Sequence, residues 1–450
     1  MRSHRFPVVA SLVPLLALCA LPVLAQEGGT GEPKEQYFTP PPSESLLDKI
    51  RLGGWINLNY RNSEDHRFRS NYPFPVPVYL TPPDPGSSFE ISDVTLVLDL
   101  AISESVVGKV KIDFIDLYDR NPTSSDDKID VDEAWVRFGP KYESRIMPDG
   151  TTFYALLGKA PKFEKQIVRN LESYGLVSTA FNRMEDLQLQ IGGSVGRNVY
   201  WRAQVSNGNP LYMRDPNLIA GDAGVTDTIS EYPGFGYGYP ILYDAEVEAY
   251  DANEGKYELG GGLGCRFGSS DGTTGIDLLG YYYDRELADQ AHLTGSVYGG
   301  DLDILSAGEY SIPTKGRDKR EAGGNLDARW GGLRFFVQYV DQKFAGLGRT
   351  GLEAEVAWKF GLPTLLTLDG NPVLTSIAPV VRYSELDNDF AGPREFPAPT
   401  FWWDWKKIDL GIRIGLIRNI DLTLEASRND VDAKAPFKYW EGLGTLHVGF

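Results

Sequence analysis

The sequence predicts an all-β protein, an antiparallel transmembrane β-barrel of 16 to 18 strands with short periplasmic turns and long extracellular loops. Three observations carry this expectation: a secretory leader, polar and apolar residues that alternate over stretches of about ten residues, and no later apolar run near the ~20 residues a spanning helix needs. A spanning strand shows lipid only every second side chain. A chain with 42% hydrophobic residues and a slightly negative mean hydropathy therefore suits a water-lined barrel as well as a soluble protein. Its 12% aromatic content is too high for a disordered chain.

The leader sets the compartment. Arg2 and Arg5 precede an apolar stretch from Phe6 to Leu24, and Val23-Leu24-Ala25 supplies the end. A basic start, an apolar middle and small residues at the cleavage point are what translocation and processing require. Residues 1–25 are expected to be a signal peptide cut after Ala25. Residues 26–50, which bear Pro and Glu, are expected to be a flexible periplasmic segment too short for a plug, and 51–450 the barrel. Loss of Arg2 and Arg5 takes the formal net charge from −18 to −20. Such a surface repels nucleic acid. Cys265 is the one cysteine after the leader, so no intramolecular disulfide is expected. It alternates with Leu263 and Phe267 as a small hydrophobe.

The strands follow from the alternation. Leu52, Gly54, Ile56, Leu58 and Tyr60 oppose Gly53, Trp55, Asn57, Asn59 and Arg61; Val94, Leu96, Leu98, Leu100 and Ile102 oppose Asp93, Thr95 and Asp99. Val199, Trp201, Ala203 and Val205 oppose Tyr200, Arg202 and Gln204, and Ile408, Leu410, Ile412 and Ile414 oppose Lys407, Asp409, Gly411 and Arg413. Eighteen strands can be laid along the chain, among them 241–250 and 297–312; sixteen is the neighbouring solution. Tight turns at 103–104, 196–197, 331 and 417–418 alternate with long links at 62–88, 161–185, 207–240 and 387–404. An even count puts both termini in the periplasm. Trp402, Trp403 and Trp405, Tyr281 to Tyr283, and Tyr439-Trp440 stand near strand ends, where aromatic girdles form.

Catalytic constellations are missing. After the leader the histidines are His66, His292 and His447, without ligand spacing, and there is no GxSxG, HExxH or GxxxxGK[ST]. No cofactor and no metal is expected. Asp126, Asp127, Asp130 and Asp132 form an acidic run, but it lacks the glycine and terminal Glu of an ordered calcium loop. Gly260-Gly261-Gly262-Leu263-Gly264 lies within an alternating strand, where lumen-side glycines leave room for neighbouring side chains rather than cradling a nucleotide.

Water-facing positions carry the transport expectation. Lys109, Lys111, Arg137, Arg202, Arg329, Arg334 and Arg413 are expected to line the channel, interleaved with acidic residues. Such rings of charge set which ions enter. The third outside loop, Pro161 to Glu185, is expected to hold the constriction, with Lys162, Lys165, Arg169 and Arg183 against Glu164, Glu172 and Glu185. Its slightly basic balance points to attraction of anions.

Ala134-Trp135-Val136-Arg137-Phe138, followed by Leu157-Gly158-Lys159-Ala160-Pro161-Lys162-Phe163, resembles paired motifs of the phosphate-selective porin O/P family. Gln190 to Val195 running into Tyr200 to Gly208 is similar to that family's tight-turn hairpin ending in Asn-Gly. The resemblance spans Asp130 to Gly208. It implies a trimeric or monomeric water-filled outer-membrane channel; the family's arginine ladder and lysine cluster do not map onto this chain residue by residue. The terminal strand, Leu443 to Phe450, resembles the last strand of outer-membrane proteins, whose final Phe is read by the barrel-assembly machinery. The expected function is an outer-membrane porin for passive diffusion of small hydrophilic solutes, with anions such as phosphate in view. The expected partners are outer-membrane lipid, that machinery and the solute, with no nucleic acid. A barrel-embedded lipid hydrolase and a structural or adhesive barrel with a filled interior are the rivals.

Overall fold

The computed structural model describes residues 49–450 apart from 65–67, 71–77, 81–85, 117–128, 140–150, 165, 167, 182–184, 215–240, 245–249, 252–255, 270–272, 290–291, 294–300, 303–313, 369, 390–403 and 433–435. The signal peptide, nearly all of the N-terminal segment, Lys165, Arg183, Trp402, Trp403, His66, Asp126 and Asp127 therefore lie outside the described residues.

Sixteen antiparallel strands close on themselves. They are β1 Ile50–Ser63, β2 Gly86–Ser103, β3 Val106–Asp116, β4 Asp130–Phe138, β5 Thr152–Pro161, β6 Glu185–Val195, β7 Val199–Ser206 and β8 Glu258–Gly268. The second half comprises β9 Thr274–Glu286, β10 Asp318–Trp330, β11 Leu333–Phe344, β12 Leu347–Trp358 with its continuation Phe360–Gly361, β13 Ser376–Asp389, β14 Asp404–Ile417, β15 Ile420–Asp432 and β16 Phe437–Gly449. Each pairs with its sequence neighbour. The ring closes where β1 pairs with β2 on one edge and with β16 on the other, Trp55 opposite Gly449 and Ser63 opposite Glu441.

Of the eighteen sequence-derived strands, the described part of 241–250 does not join the ring. Ile241–Asp244 pairs instead with Leu211–Arg214 as a separate ribbon, and most of 297–312 is outside the described residues. The apolar pattern there is real, but Leu211, Leu242 and Tyr243 bury it against the inside of the barrel rather than in lipid. Two connections also run against the alternation of short and long. β11 and β12 meet on the outer side through Ala345-Gly346 alone, and 359–375, on the turn side, carries its own ribbon of Leu366–Leu368 with Asn371–Val373.

The exterior matches a bilayer. Leu58, Ile91, Leu189, Leu263, Val356, Val381, Leu410 and Leu424 are exposed along the outward face. Aromatic rings bound this band at both ends. Phe138, Phe153, Trp330, Trp358, Phe360 and Phe450 stand near the turns, and Tyr60, Phe89, Tyr257, Tyr282, Tyr339 and Trp440 near the long loops. An apolar belt between two aromatic girdles is the signature of a barrel in the bacterial outer membrane. The sequence-derived girdle is corrected in detail: Tyr281, Tyr283, Tyr439 and Trp405 point inward and are buried, while Tyr282 and Trp440 face out. Successive side chains alternate across a strand, so an aromatic run cannot sit wholly on one face. Cys265 lies on the outward-facing set, buried between strands opposite Leu278 and Val199.

Gly158 in β5 has φ +132, and a Cβ there would overlap the Ala134 carbonyl of β4. Only glycine adopts that backbone region cheaply. Gly158→Ala is expected to lower barrel stability by about 1–3 kcal/mol, read as a lower urea midpoint for unfolding from lipid vesicles. An unchanged midpoint would show that β5 tolerates a side chain there.

Candidate channel lumen and constriction loop

The loop between β5 and β6 enters the barrel and crosses it. Its root is set by Lys162, whose Nζ donates to Glu258 Oε1 on β8 at 2.6 Å. Phe163 then packs with Tyr200, Leu279, Tyr281 and Tyr283 on the inner wall. Gly262, on the inward face of β8, makes room: a Cβ there would lie 2.7 Å from the Phe163 ring. The glycine run of 260–264 thus has the structural role expected of it.

Beyond this root, the loop docks on β12 to β15. Leu171 packs with Ala357 and Val380, and the short helix α1, Leu176–Ala180, followed by Phe181, is buried. A loop inside a barrel has no sheet partner, so its amides and carbonyls need other acceptors and donors. Wall side chains supply them. The Glu172 amide donates to Glu425 Oε1 at 2.6 Å, the Ser173 hydroxyl to Glu425 Oε2 at 2.5 Å, and the Leu176 amide to Ser384 Oγ at 3.1 Å. Arg382 donates to the Ser173 carbonyl at 2.7 Å, Lys407 to that of Tyr174 at 2.8 Å, and Arg349 to that of Ala180 at 2.9 Å. Arg382, Lys407 and Asp409 are fully buried and joined, Arg382 Nε to Asp409 Oδ2 at 2.9 Å. Among these wall residues the alternation of the sequence already places Arg382, Lys407 and Asp409 on the water-facing side, whereas Arg349, Ser384 and Glu425 were not picked out; a polar residue at an inward strand position was the available signal.

Two further loops meet the same wall. Asp244, in the Ile241–Asp244 ribbon, forms an ion pair with Lys319 at 2.9 Å and accepts from Gln342 at 3.0 Å. Asp301 accepts from Arg285 of β9 at 2.8 and 2.9 Å and from the amides of Leu211 and Ala288. The loop side of the lumen along β8 to β15 is thereby filled.

Half-exposed inward side chains concentrate elsewhere, along a polar row from β14 through β16 and β1 to β4. Arg413 donates to Asp421 at 3.1 Å; His447 Nδ1 lies 2.7 Å from Asn57 Oδ1; Asn57 and Trp55 donate to Asp93 at 3.3 and 2.6 Å. Thr95 joins Asp93 to Asp113, and Lys111 bridges Asp113 and Asp132 at 3.4 and 2.5 Å. Glu172 of the constriction loop reaches this row through Arg413, 3.7 Å away.

The seven expected channel-lining cations all face inward. Lys109 pairs with Glu133 at 3.2 Å, Arg334 is buried against Asp327 at 2.7 Å, Arg137 lies over the Tyr154 ring, and Arg202 donates to the Phe163 carbonyl. Arg329 stands beside Arg334 across β10 and β11. Of the constriction cations, Lys162 is buried in its ion pair and Arg169 stacks on Tyr174, its guanidinium carbon 3.9 Å from the ring centroid; Lys165 and Arg183 lie outside the described residues. Asp132, Glu133 and Glu185 bring carboxylate oxygens within 4.8 Å of one another, and Lys111 and Lys109 bind the first two.

No family model and no curated protein sequence matches this chain. Among solved structures, the fold is similar to the outer membrane channel DcaP of Acinetobacter baumannii, at 9% identity and TM-score 0.48 over 89% of this chain and 97% of that one. It is also similar to OprB of Pseudomonas putida, at 7% identity and TM-score 0.49 over 90% and 95%, and to OmpF of Salmonella typhi in complex with daunomycin, at 10% identity and TM-score 0.48 over 89% and 97%.

Two outcomes are expected. Glu425→Ala strips the acceptor from two loop amides and a hydroxyl, so the barrel should still form while open-channel noise and conductance rise; an unchanged trace would mean the loop is held without it. Asp301 is buried, which raises its pKa, but the Arg285 charge and hydrogen bonds from Arg285, Leu211 and Ala288 outweigh this and the pKa is lowered. A lowered carboxylate pKa gives stability that is present above the unfolded value near ~3.9 and is lost as pH falls through the folded one. Hydrogen exchange at the Leu211 and Ala288 amides should stay slow at neutral pH and quicken only below about pH 4. Loss of protection already at pH 6 would contradict a role for the Asp301 carboxylate in holding these amides.

Proposed function

We propose that the protein is an outer-membrane porin whose water-filled channel lets small hydrophilic solutes diffuse passively, with a weak preference for anions. The observation that carries this reading is the lumen: an inner wall rich in charged and amide side chains, apolar where loops pack on it, and a loop folded across it that leaves the half-exposed polar row of β14 to β4 as the open side. Nothing in that arrangement asks for energy coupling.

The anion preference rests on the periplasmic end. Arg51, Lys109, Arg137, Arg202, Arg329 and Arg413 are inward, at least partly exposed, and within four residues of the turn-side ends of their strands. The partly exposed carboxylates there are Asp99, Asp277, Asp327 and Asp421. This moves the anion-attracting role from the constriction loop, where Lys162 is neutralised by Glu258, to the vestibule. Phosphate, and assembly as a trimer, enter through the resemblance to the phosphate-selective porin O/P family and belong to the same proposal.

A barrel with a filled interior is the competing reading, favoured by the burial of Leu171, Val177, Leu211 and Asp301 inside the barrel. Liposome swelling separates the two. A porin admits monosaccharides quickly and larger sugars progressively more slowly; a filled barrel admits none. In a KCl gradient the reversal potential should move toward that of chloride, and Arg137→Gln with Arg329→Gln should reduce the displacement. A displacement toward potassium in the parent protein would discard the anion preference.

A further inference from the structure

Charge in the lumen is sorted along the channel axis as well as around it. Within four residues of the turn-side strand ends, seven guanidinium groups face inward: Arg51, Arg137, Arg202, Arg266, Arg329, Arg334 and Arg413. Four carboxylates share that level, Asp99, Asp277, Asp327 and Asp421, and counting Glu355 with them leaves the vestibule basic. Further from the turns the balance reverses. Asp93, Asp113, Asp132 and Glu133 answer to Lys111, and to Lys109 at the edge of the vestibule, along β2 to β4. Against the constriction loop, Asp409 is ion-paired with Arg382 and Lys407, and Glu353 and Glu425 lie within the field of Arg382. Around the loop root and the Asp244 and Asp301 contacts, Glu164, Asp186, Asp244, Glu258, Asp301 and Glu321 face Lys162, Arg285, Lys319 and Arg349. Among the described residues each of these three groups has more carboxylates than cations.

We propose, resting on the porin reading, that this protein is a charge-polarised channel: a basic periplasmic vestibule in series with an acidic inner chamber, which rectifies ion current at low ionic strength. The vestibule enriches anions and the chamber enriches cations. When the extracellular side is positive, cations enter through the acidic chamber while anions enter through the basic vestibule, and both accumulate within the channel. Reversing the voltage draws each out through its own end, depletes the lumen and lowers the current. Screening sets the salt range. The Debye length is ~30 Å at 0.01 M, on the scale of the barrel's height, and ~3 Å at 1 M, shorter than the separation of the two zones.

The test uses the full-length protein, inserted in one orientation into planar bilayers, with current–voltage curves in symmetric KCl at about 0.01 M and about 1 M. Current with the extracellular side positive should exceed the reverse current by roughly twofold at the lower salt and match it at the higher, as screening removes the zones. Arg137→Glu with Arg202→Glu should reduce or invert the asymmetry. Retained heat-modifiable migration on gels shows that this variant is folded. Arg329→Gln with Arg413→Gln, a milder change, should give an intermediate ratio. Conducting channels with linear curves at low salt would overturn the polarity and leave the porin reading standing. A folded barrel that carries no current would overturn the porin reading itself.

Discussion

A strand that crosses lipid must satisfy both of its edges, because no water is present to hydrogen-bond what the neighbouring strands leave over. That constraint closes the sheet. It explains why Trp55 to Ser63 of β1 pairs with the last strand, although the two are separated by nearly the whole chain. Once the ring is shut, each residue's facing is fixed by the two-residue period, and the outward set becomes an apolar belt between aromatic girdles. Charged residues then collect inside because the outside will not tolerate them.

The interior poses a second accounting problem. A loop that folds into the lumen brings unpaired amides and carbonyls with it. Here the wall, rather than water alone, satisfies them. Glu425 and Ser384 accept from loop amides, and Arg349, Arg382 and Lys407 donate to loop carbonyls. The many buried charges of β8 to β15 are therefore fastenings. A bare count of lumen cations overstates the charge in reach of water, since residues such as Lys162 and Arg382 are spent on holding the loops. What remains in reach of water is the open row from β14 to β4 and the inward face near the turns.

Burial of this kind is costly for a single charge but tolerable where the partners are arranged in advance. Arg382 illustrates the arrangement: its guanidinium meets Asp409 on the neighbouring strand and the Ser173 carbonyl and hydroxyl on the loop. Removing one member leaves the others unsatisfied in a dry place. The loop and wall therefore behave as one unit, and the folded-in loop is a fixed part of the barrel.

The sequence by itself determined the strand class, most strand positions and the facing of the lumen cations, because alternation is a local property that a closed barrel enforces at every residue. It also exposed the lumen-side glycines of 260–264. Other features were decided only in three dimensions. Whether 241–250 paired in the ring or turned into the lumen depended on which surface buried Leu242 and Tyr243, and lipid and a folded-in ribbon ask for the same apolar residues. Whether Lys162 served solutes or structure depended on Glu258, 96 positions away in sequence. Periodicity tells which way a side chain points; it does not tell what will be standing opposite when the sheet has closed and the loops have come in.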